Sequence, residues 1–257
     1  MKLIFVLTVL GIAMTMPGKA ATTPDGDTRV NIQRDGVNIG SGRINSGTIT
    51  GVGAGAVING NGNIVTITRK VAGIDAIDIS GAFELEITWS DSPADAVITL
   101  SGDANLLPLI ATRVGGKVLK IYADQSYSSA RKIRLAVQLS SLRELNSRGA
   151  NVINLMDINT ERLEIKLSGA SVLKASGQLV QLVGQLSGAV KLEAQPLHCR
   201  DVKLELSGAA KADITVANRL EVKAGGAAQC RYYGNPPTVA ATRTSIAARV
   251  QAATAQP

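Results

Sequence analysis

The chain has 257 residues, a formal net charge of +7 and only 3% aromatic residues against 26 glycines. Compact globular cores draw much of their stability from Phe, Tyr and Trp, so this composition favours a thin interior of Leu, Val, Ile and Ala. The basic residues are spread along the chain without a nucleic-acid-binding motif, which argues against a nucleic-acid partner.

The N-terminus has the pattern of a secretory signal peptide. Lys2 precedes a short apolar run from Leu3 to Leu10, and small residues follow at Ala20 and Ala21. A charged start, a short apolar stretch and a small-residue cleavage site are typical of such peptides. We predict a signal peptide at residues 1–20 and an exported chain, periplasmic or at the cell surface. No segment of the mature chain is apolar for the ~18 residues that a membrane span requires.

Residues 21–67 are rich in Gly and Asn, with isolated Val and Ile between them. This segment is either a flexible leader or a set of irregular turns that cap the following domain. The strand-like stretch at 64–67 favours a partly ordered cap. Five strand candidates follow, separated by turn signals such as Gly115-Gly116. They are 74–79, 83–89, 96–100, 118–122 and 133–139.

A short tripeptide, Ser-Gly-Ala or a close variant, returns in the second half of the chain at steps of 20, 19, 20 and 18 residues. Self-similarity at such a period is typical of a solenoid. Glycine tolerates positive φ, so we predict that the central glycines form structural corners. They are Gly81 in an early copy, then Gly149, Gly169, Gly188, Gly208 and Gly226.

Residues on both sides of each tripeptide alternate between apolar and polar, as in Val202–Leu206. A period of two indicates a strand with one buried face. Two strands of ~5–7 residues and a corner fill a ~20-residue repeat, which leaves no room for a helix. We therefore predict an all-β fold: a parallel β-solenoid over residues 68–250, with rungs of about 18–20 residues. We expect a right-handed β-helix, because parallel crossovers prefer that hand.

The repeat also predicts contacts between rungs. Lys203 should lie beside Glu221, and Leu204 should lie in an inner ladder between position 184 or 165 on one side and Val222 on the other. After the last repeat we predict one more strand near 245–250. Residues 251–257 read as a disordered tail.

The sequence offers little catalytic chemistry. His198 is the only histidine, so a Ser-His-Asp or Cys-His system would require it. It falls in a predicted turn beside Cys199, and neighbouring residues on an extended chain point to opposite sides. Cys230 falls in a buried column away from Cys199, which favours two free thiols, although an oxidising compartment also permits a disulfide. We predict no catalytic, cofactor-binding or metal-binding residue and no cofactor.

Several segments stand in a characteristic order. The sequence IDISGAFELEI at 77–87 is followed by SGDANLL at 101–107, KVLKI at 117–121, the Ser-Gly-Ala copies and YGNP at 233–236. In this order they resemble the head GIN domain family of putative auto-transporter adhesins. The resemblance implies a secreted β-solenoid domain without an established function. It supplies no catalytic residues to carry over.

These features predict a non-enzymatic secreted cell-envelope protein. It would be an adhesin-like or structural module that presents a solenoid face to an envelope polysaccharide or protein. The alternative is a polysaccharide-binding or polysaccharide-active β-helix protein, and a glycosidase would need two carboxylates ~5–10 Å apart. Glu84 with Glu86, and Glu193 with Asp213, are the candidate pairs, although solvation and charge pairing explain them better. Self-assembly through the solenoid ends into a homo-oligomer is a third possibility.

Overall fold

The computed structural model describes residues 4–9, 12–17, 19–22, 28–34, 37–45, 48–50, 57–89 and 95–253. Parts of the expected signal peptide (1–3, 10, 11 and 18) and of the expected tail (254–257) lie outside these residues. Within the described ranges the regular structure is β-strand except for one 3-10 turn at Leu107–Leu109. No helix in these ranges is long and apolar enough to cross a membrane.

Six strands precede residue 57. β1 pairs with β2 in an antiparallel hairpin, and β3 to β6 form an antiparallel sheet in chain order. Their bounds are β1 Ile4–Val9, β2 Ile12–Pro17, β3 Lys19–Thr22, β4 Thr28–Arg34, β5 Val37–Asn45 and β6 Thr48–Thr50. The role of residues 21–67 as a cap stays a prediction.

Ten shorter strands follow, and they include the five predicted between residues 74 and 139. Their bounds are β7 Ile58–Asn59, β8 Ile64–Ala72, β9 Ala76–Gly81, β10 Glu84–Trp89, β11 Asp95–Asp103, β12 Ile110–Gly115, β13 Val118–Ala123, β14 Tyr127–Ser128, β15 Arg134–Leu139 and β16 Glu144–Gly149. Four long strands then carry the repeat, and three short ones close it. They are β17 Val152–Gly169, β18 Val172–Gly188, β19 Lys191–Leu206, β20 Lys211–Ala224, β21 Gln229–Tyr233, β22 Thr238–Arg243 and β23 Arg249–Ala252.

The chain divides into two compact units. The larger, formed by residues 64–102, 110–123 and 131–257, is a solenoid of about five turns. Its main sheet runs β12-β13-β9-β16-β17-β18-β19-β20-β21-β23, and every pairing after the β12–β13 hairpin is parallel. The prediction of an all-β parallel solenoid is therefore confirmed.

Each full rung has three strand segments, whereas the sequence predicted two. The long strands bend without ending, and the pairing register shifts at each bend, for example between Leu155 and Ile158 and between Lys174 and Gly177. The extra segment is only about three residues long, as at Gly177–Leu179. Three residues are too few to show an alternation of apolar and polar positions, so the sequence pattern does not reveal this third strand segment of each rung.

Apolar columns from successive rungs form the core. Leu204 is fully buried and pairs with Gly184 on one side and with Val222 on the other. This is the predicted inner ladder, and its register is confirmed. Because each buried side chain contacts the rungs above and below, removal of a single leucine leaves a cavity that costs about 2–5 kcal/mol.

A buried polar cluster interrupts the core beside the first corners. Asn151 Nδ2 donates to Ser147 Oγ at 3.0 Å and to the Arg148 carbonyl at 2.9 Å, and Asn151 Oδ1 accepts from the Phe83 amide at 2.9 Å. Ser171 Oγ lies 3.2 Å from Ser147 Oγ. Because these polar atoms satisfy one another, the cluster avoids the penalty of unpaired buried groups.

The end of the solenoid differs from the prediction of a strand at 245–250. Residues 238–243 and 249–252 are strands instead, and the chain turns between them. The Ala247 amide donates to Ser245 Oγ at 3.2 Å, and the Ala248 amide donates to the Ser245 carbonyl at 3.3 Å. A hydroxyl that captures a nearby amide favours a turn over a strand, which explains the difference.

The smaller unit comprises residues 1–63, 103–109 and 124–130. Among its described residues, β7 pairs in parallel with β14. Asp103 is 4% exposed; its carboxylate accepts the Gly62 amide at 2.6 Å and the Ser129 hydroxyl at 2.5 Å. The carboxylate thus ties three segments of this unit together.

Candidate functional site

The glycines of the tripeptides lie in one column at a corner of the solenoid. Gly149 pairs with Gly81 on one side and with Gly169 on the other, and Gly169 pairs with Gly188. All six glycines predicted as corners have positive φ: Gly81, Gly149, Gly169, Gly188, Gly208 and Gly226.

Two constraints act together on this column. At Gly169 φ is +89°, a left-handed conformation that disfavours residues with a β-carbon. A β-carbon there would also lie 2.4 Å from the carbonyl oxygen of Gly149, and a backbone atom cannot move aside. The corners stack this closely because the Ala170 amide donates to that same carbonyl at 2.8 Å.

Beside the corner column runs a groove with a volume of about 740 Å³. The groove runs across the rungs. Its lining includes outward-facing side chains of the strands and the first residues of the tripeptides. We call it the corner groove. Its lining residues are Asn146, Arg148, Lys166, Leu167, Ser168, Gln185, Leu186, Ser187, Glu205, Leu206, Ser207, Lys223, Ala224, Gly225 and Thr244.

The middle of the corner groove is neutral and polar. Gln185, Ser187 and Ser207 are exposed, and their side chains form no hydrogen bond with any residue that the structure describes. Ser168 makes one long bond, 3.4 Å, to the Ser147 carbonyl. Hydroxyl and amide groups both donate and accept hydrogen bonds, so these side chains are available to a ligand.

At one end of the groove a lysine is shared between two carboxylates. Lys166 Nζ lies 2.9 Å from Glu164 Oε1 and 3.1 Å from Glu144 Oε1. Hydrogen bonds to Glu164 and then to Glu144 raise the pKa of Lys166. Hydrogen bonds from Asn146 and then Lys166 lower the pKa of Glu144. The lysine charge is therefore neutralised within the protein.

The other charged side chains of the groove are also paired. Lys223 Nζ lies 3.3 Å from Glu205 Oε1 on the neighbouring rung. Arg148 Nη2 lies 2.9 Å and 3.1 Å from the two carboxylate oxygens of Asp78. The groove is thus bounded by ion pairs and carries no strong field of one sign.

The carboxylates considered for glycoside hydrolysis lie outside the corner groove. Glu193 and Asp213 stack in one column between Lys174 and Arg231, and Arg231 Nη2 lies 2.8 Å from Asp213 Oδ2. This bond raises the pKa of Arg231. In another column Lys203 and Glu221 lie 3.0 Å apart, so the charge pairing between rungs that the sequence predicted is confirmed at both places.

In the other candidate pair, Glu84 with Glu86, one carboxylate forms an ion pair. Glu84 Oε2 accepts from Arg134 Nε at 3.0 Å, and the side chain of Glu86 is exposed on the same strand. Neither carboxylate lines the corner groove. A surface ion pair at this position contributes under about 1 kcal/mol and indicates register more than chemistry.

His198 and the two cysteines form no catalytic arrangement. His198 is exposed inside β19, so the predicted turn at this position is wrong; the third segment of the rung runs through it. Cys199 and Cys230 are buried and free, and burial raises the pKa of each thiol to about 12. Over the described ranges, no group of three or more His, Cys, Asp or Glu side chains is placed to hold a metal ion.

The serine of each tripeptide is a sequence signal for the groove as well as for the corner. Ser168, Ser187 and Ser207 recur at the same place in each tripeptide and project outward beside Gln185. A serine at the same place in three successive repeats marks a continuous polar column on the surface. The alternation could not reveal that Lys166 is shared between Glu164 on its own strand and Glu144 on the neighbouring one.

Residues 73–236 match the family described as "putative auto-transporter adhesin, head GIN domain". No curated protein shows a significant match to the chain. Among solved structures, a putative adhesin from Bacteroides fragilis NCTC 9343 is similar, with 16% sequence identity and a TM-score of 0.61. The similarity covers 76% of this chain and 100% of that one, and it shows a shared fold.

Two further solved structures have lower TM-scores. A putative adhesin from Parabacteroides merdae is 15% identical, with 76% and 98% of the two chains covered and a TM-score of 0.45. A putative lipid binding protein from Parabacteroides distasonis is 19% identical, with 76% and 99% covered and a TM-score of 0.49. The family match, in contrast, extends over more than half of the chain and agrees with the stacked glycine corners. The chain therefore belongs to the putative auto-transporter adhesin, head GIN domain family.

Proposed function

We propose that the protein is a non-enzymatic, exported module of the cell envelope that binds an extended partner along its corner groove. The observation that carries the proposal is the row of exposed, unpaired polar side chains at Gln185, Ser187 and Ser207. Gln185 and Ser187 lie two residues apart on β18, and Ser187 stands in a column with Ser168 on β17 and Ser207 on the next rung, which suits a ligand that follows the solenoid axis. The signal-peptide pattern and the adhesin description of the family support a place in the envelope.

Binding fits this groove better than catalysis does. A glycosidase needs a pair of carboxylates that face the substrate, one of which acts as an acid. Among the groove-lining residues described here, Glu205 is the one carboxylate, and Lys223 pairs with it at 3.3 Å. The polysaccharide-active alternative therefore lacks support from the groove. The polysaccharide-binding alternative remains compatible with it.

The test uses the purified secreted chain and envelope preparations from the cells that make it. A double variant, Gln185→Leu with Ser187→Val, removes two hydrogen-bonding groups and keeps residues suited to a strand. The matched control, Gln229→Leu with Ser141→Val, changes an exposed amide and an exposed hydroxyl outside the groove.

We expect the unmodified chain and the control to sediment with the envelope, and the groove variant to lose most of its binding. Circular dichroism and denaturation should show that both variants remain folded. Equal sedimentation of the groove variant and the control would contradict the proposal. Hydrolysis of envelope glycans by the unmodified chain would contradict its non-enzymatic part.

A further inference from the structure

We infer that the ligand of the corner groove is a neutral, hydroxyl-rich polymer, a neutral polysaccharide, lying across the rungs with about one sugar unit per rung. This inference rests on the proposed function of the groove and names the chemical class of its ligand. Three features of the groove carry it: the hydrogen-bonding type of its floor, the neutralisation of its charges, and its spacing.

The floor of the groove suits hydroxyl groups. The Ser187 and Ser207 hydroxyls can each donate one hydrogen bond and accept others, and the Gln185 amide can do both with separate atoms. A sugar hydroxyl has the same dual character, so a ligand rich in hydroxyls can satisfy every group along this row. A ligand with acceptors only, such as a polyphosphate, would leave the acceptor oxygens of the floor unpaired.

The charges at the edges do not favour a polyanion. Lys166 is held between Glu144 and Glu164, Lys223 by Glu205, and Arg148 by Asp78. An acidic polymer would have to compete with these carboxylates for every cation and would also approach them. A neutral polymer has neither cost, and the ion pairs then act as walls that position it.

The spacing of the groove matches a linear polymer. Parallel strands lie about 4.8 Å apart, close to the length of one sugar unit in an extended chain. The lining residues come from the neighbouring strands β16 to β20 and from Thr244, whose amide bonds to the Ala224 carbonyl of β20, so the groove extends about 24 Å. Three successive rungs present the same hydroxyl at the same place, Ser168, Ser187 and Ser207, to successive units of the ligand.

None of the lining residues is aromatic, so no ring is available to stack on a sugar. Affinity must then come from several weak hydrogen bonds added along the groove, because a single one contributes little net free energy in water. We expect short oligosaccharides to bind weakly, longer ones to bind more tightly, and the affinity to stop rising when the chain reaches about six units.

The test is calorimetric titration with neutral oligosaccharides of two to eight units (cello-, malto-, chito- and manno-series) and with oligogalacturonate as the acidic counterpart. We expect at least one neutral series to bind with the length dependence described above. We also expect it to bind more tightly than oligogalacturonate at low and moderate salt. Gln185→Leu with Ser187→Val should lower this affinity about tenfold or more, whereas Gln229→Leu with Ser141→Val should not change it.

A second variant tests whether the floor of the groove sets the preference for neutral over acidic oligosaccharides. Ser187 stands in a column with Ser168 and Ser207 and without a carboxylate. Ser187→Lys places a cation in the centre of the floor and should shift binding towards oligogalacturonate. If the floor does not contact the ligand, this change leaves the preference for neutral chains unaltered, which would contradict the inference.

The outcomes separate this inference from the proposed function. Envelope binding that depends on the groove, but is removed by protease treatment of the envelope and not by periodate, would identify a protein partner. It would overturn the inference alone. Failure of all four neutral series, or tighter binding of oligogalacturonate, would also overturn it. Envelope binding that ignores the groove variant would overturn the proposed function itself.

Discussion

The side chain of Leu204 fills the space that a β-carbon would occupy at Gly184 on the neighbouring rung. A β-carbon at position 184 would lie 2.6 Å from Leu204 Cδ2 and 3.2 Å from Ile165 Cγ1. Large side chains on the rungs above and below thus converge over a residue without one. The side chains of Leu204 and Ile165 cover Gly184 and bury it. Val183 and Gln185, on either side of it, are more exposed, so burial still alternates along the strand.

This relationship predicts a coupled pair of substitutions. Gly184→Ala should overpack the column and cost about 1–3 kcal/mol, and Leu204→Ala should leave a cavity and cost about 2–5 kcal/mol. In the double variant the new methyl group enters the vacated space, so the total loss should be clearly smaller than the sum. Urea denaturation of the four proteins measures the coupling. Strict additivity would contradict this packing, and Glu205→Gln, on the outward face, should cost under about 1 kcal/mol.

The corner column predicts a larger penalty at Gly169 than at an isolated turn glycine. Both Gly169 and Gly116 have positive φ, +89° and +65°. A β-carbon at Gly116 would meet nothing within 4 Å, whereas one at Gly169 would lie 2.4 Å from a backbone oxygen. Gly116→Ala should cost about 1–2 kcal/mol from backbone strain alone. Gly169→Ala should cost several kcal/mol, because the stacked corners must separate.

Thermal or chemical denaturation decides between the two glycines. Similar losses for both alanine variants would mean that backbone conformation alone constrains the corner. In that case the close contact between successive rungs would have no energetic weight.

The two cysteines should be unreactive in the folded protein. Cys199 and Cys230 are buried, and burial raises the pKa of each thiol to about 12, so the reactive thiolate is scarce at pH 8. Ellman's reagent should label neither thiol in native conditions and both in guanidinium chloride without reductant. Absence of labelling after unfolding would reveal a disulfide instead of free thiols.

The pair of Glu144 and Lys166 predicts a small acid-dependent loss of stability. Hydrogen bonds from Asn146 and Lys166 lower the pKa of Glu144 below its usual 4.5. A carboxyl with a lowered folded-state pKa stabilises the fold above its unfolded value, and this contribution is lost as the pH falls below about 4.5 through the folded value. Since both side chains are partly exposed, we expect less than about 1 kcal/mol.

Urea denaturation of Glu144→Gln between pH 3 and pH 7 measures this contribution. The variant should be less stable than the unmodified chain at pH 7, and the two should converge at pH 3. The matched control is Glu86→Gln, because the exposed Glu86 side chain forms no ion pair with a residue that the structure describes. A difference that stays constant with pH would show that the Glu144 carboxylate charge is not what stabilises the fold.

The sequence by itself determined the register of the solenoid. An alternation of two and a glycine at each corner place Leu204 in an inner ladder between position 184 or 165 and Val222, and the structure puts Gly184 next to it. Like residues stack because every rung repeats the same backbone path. The same reasoning placed Lys203 beside Glu221. These features depend on local period and repeat length alone, which are visible in one sequence.

Only the tertiary structure decided what lies between the regular segments. The third face of each rung is too short to show an alternation, so His198 was placed in a turn rather than in β19. The strand expected near 245–250 begins only at Arg249, because the Ser245 hydroxyl captures a backbone amide and forms a turn before it. The corner groove depends on partners from rungs that are distant in sequence, such as Asp78 for Arg148. Such pairing sets the charge of a surface, and it exists only once the rungs are stacked.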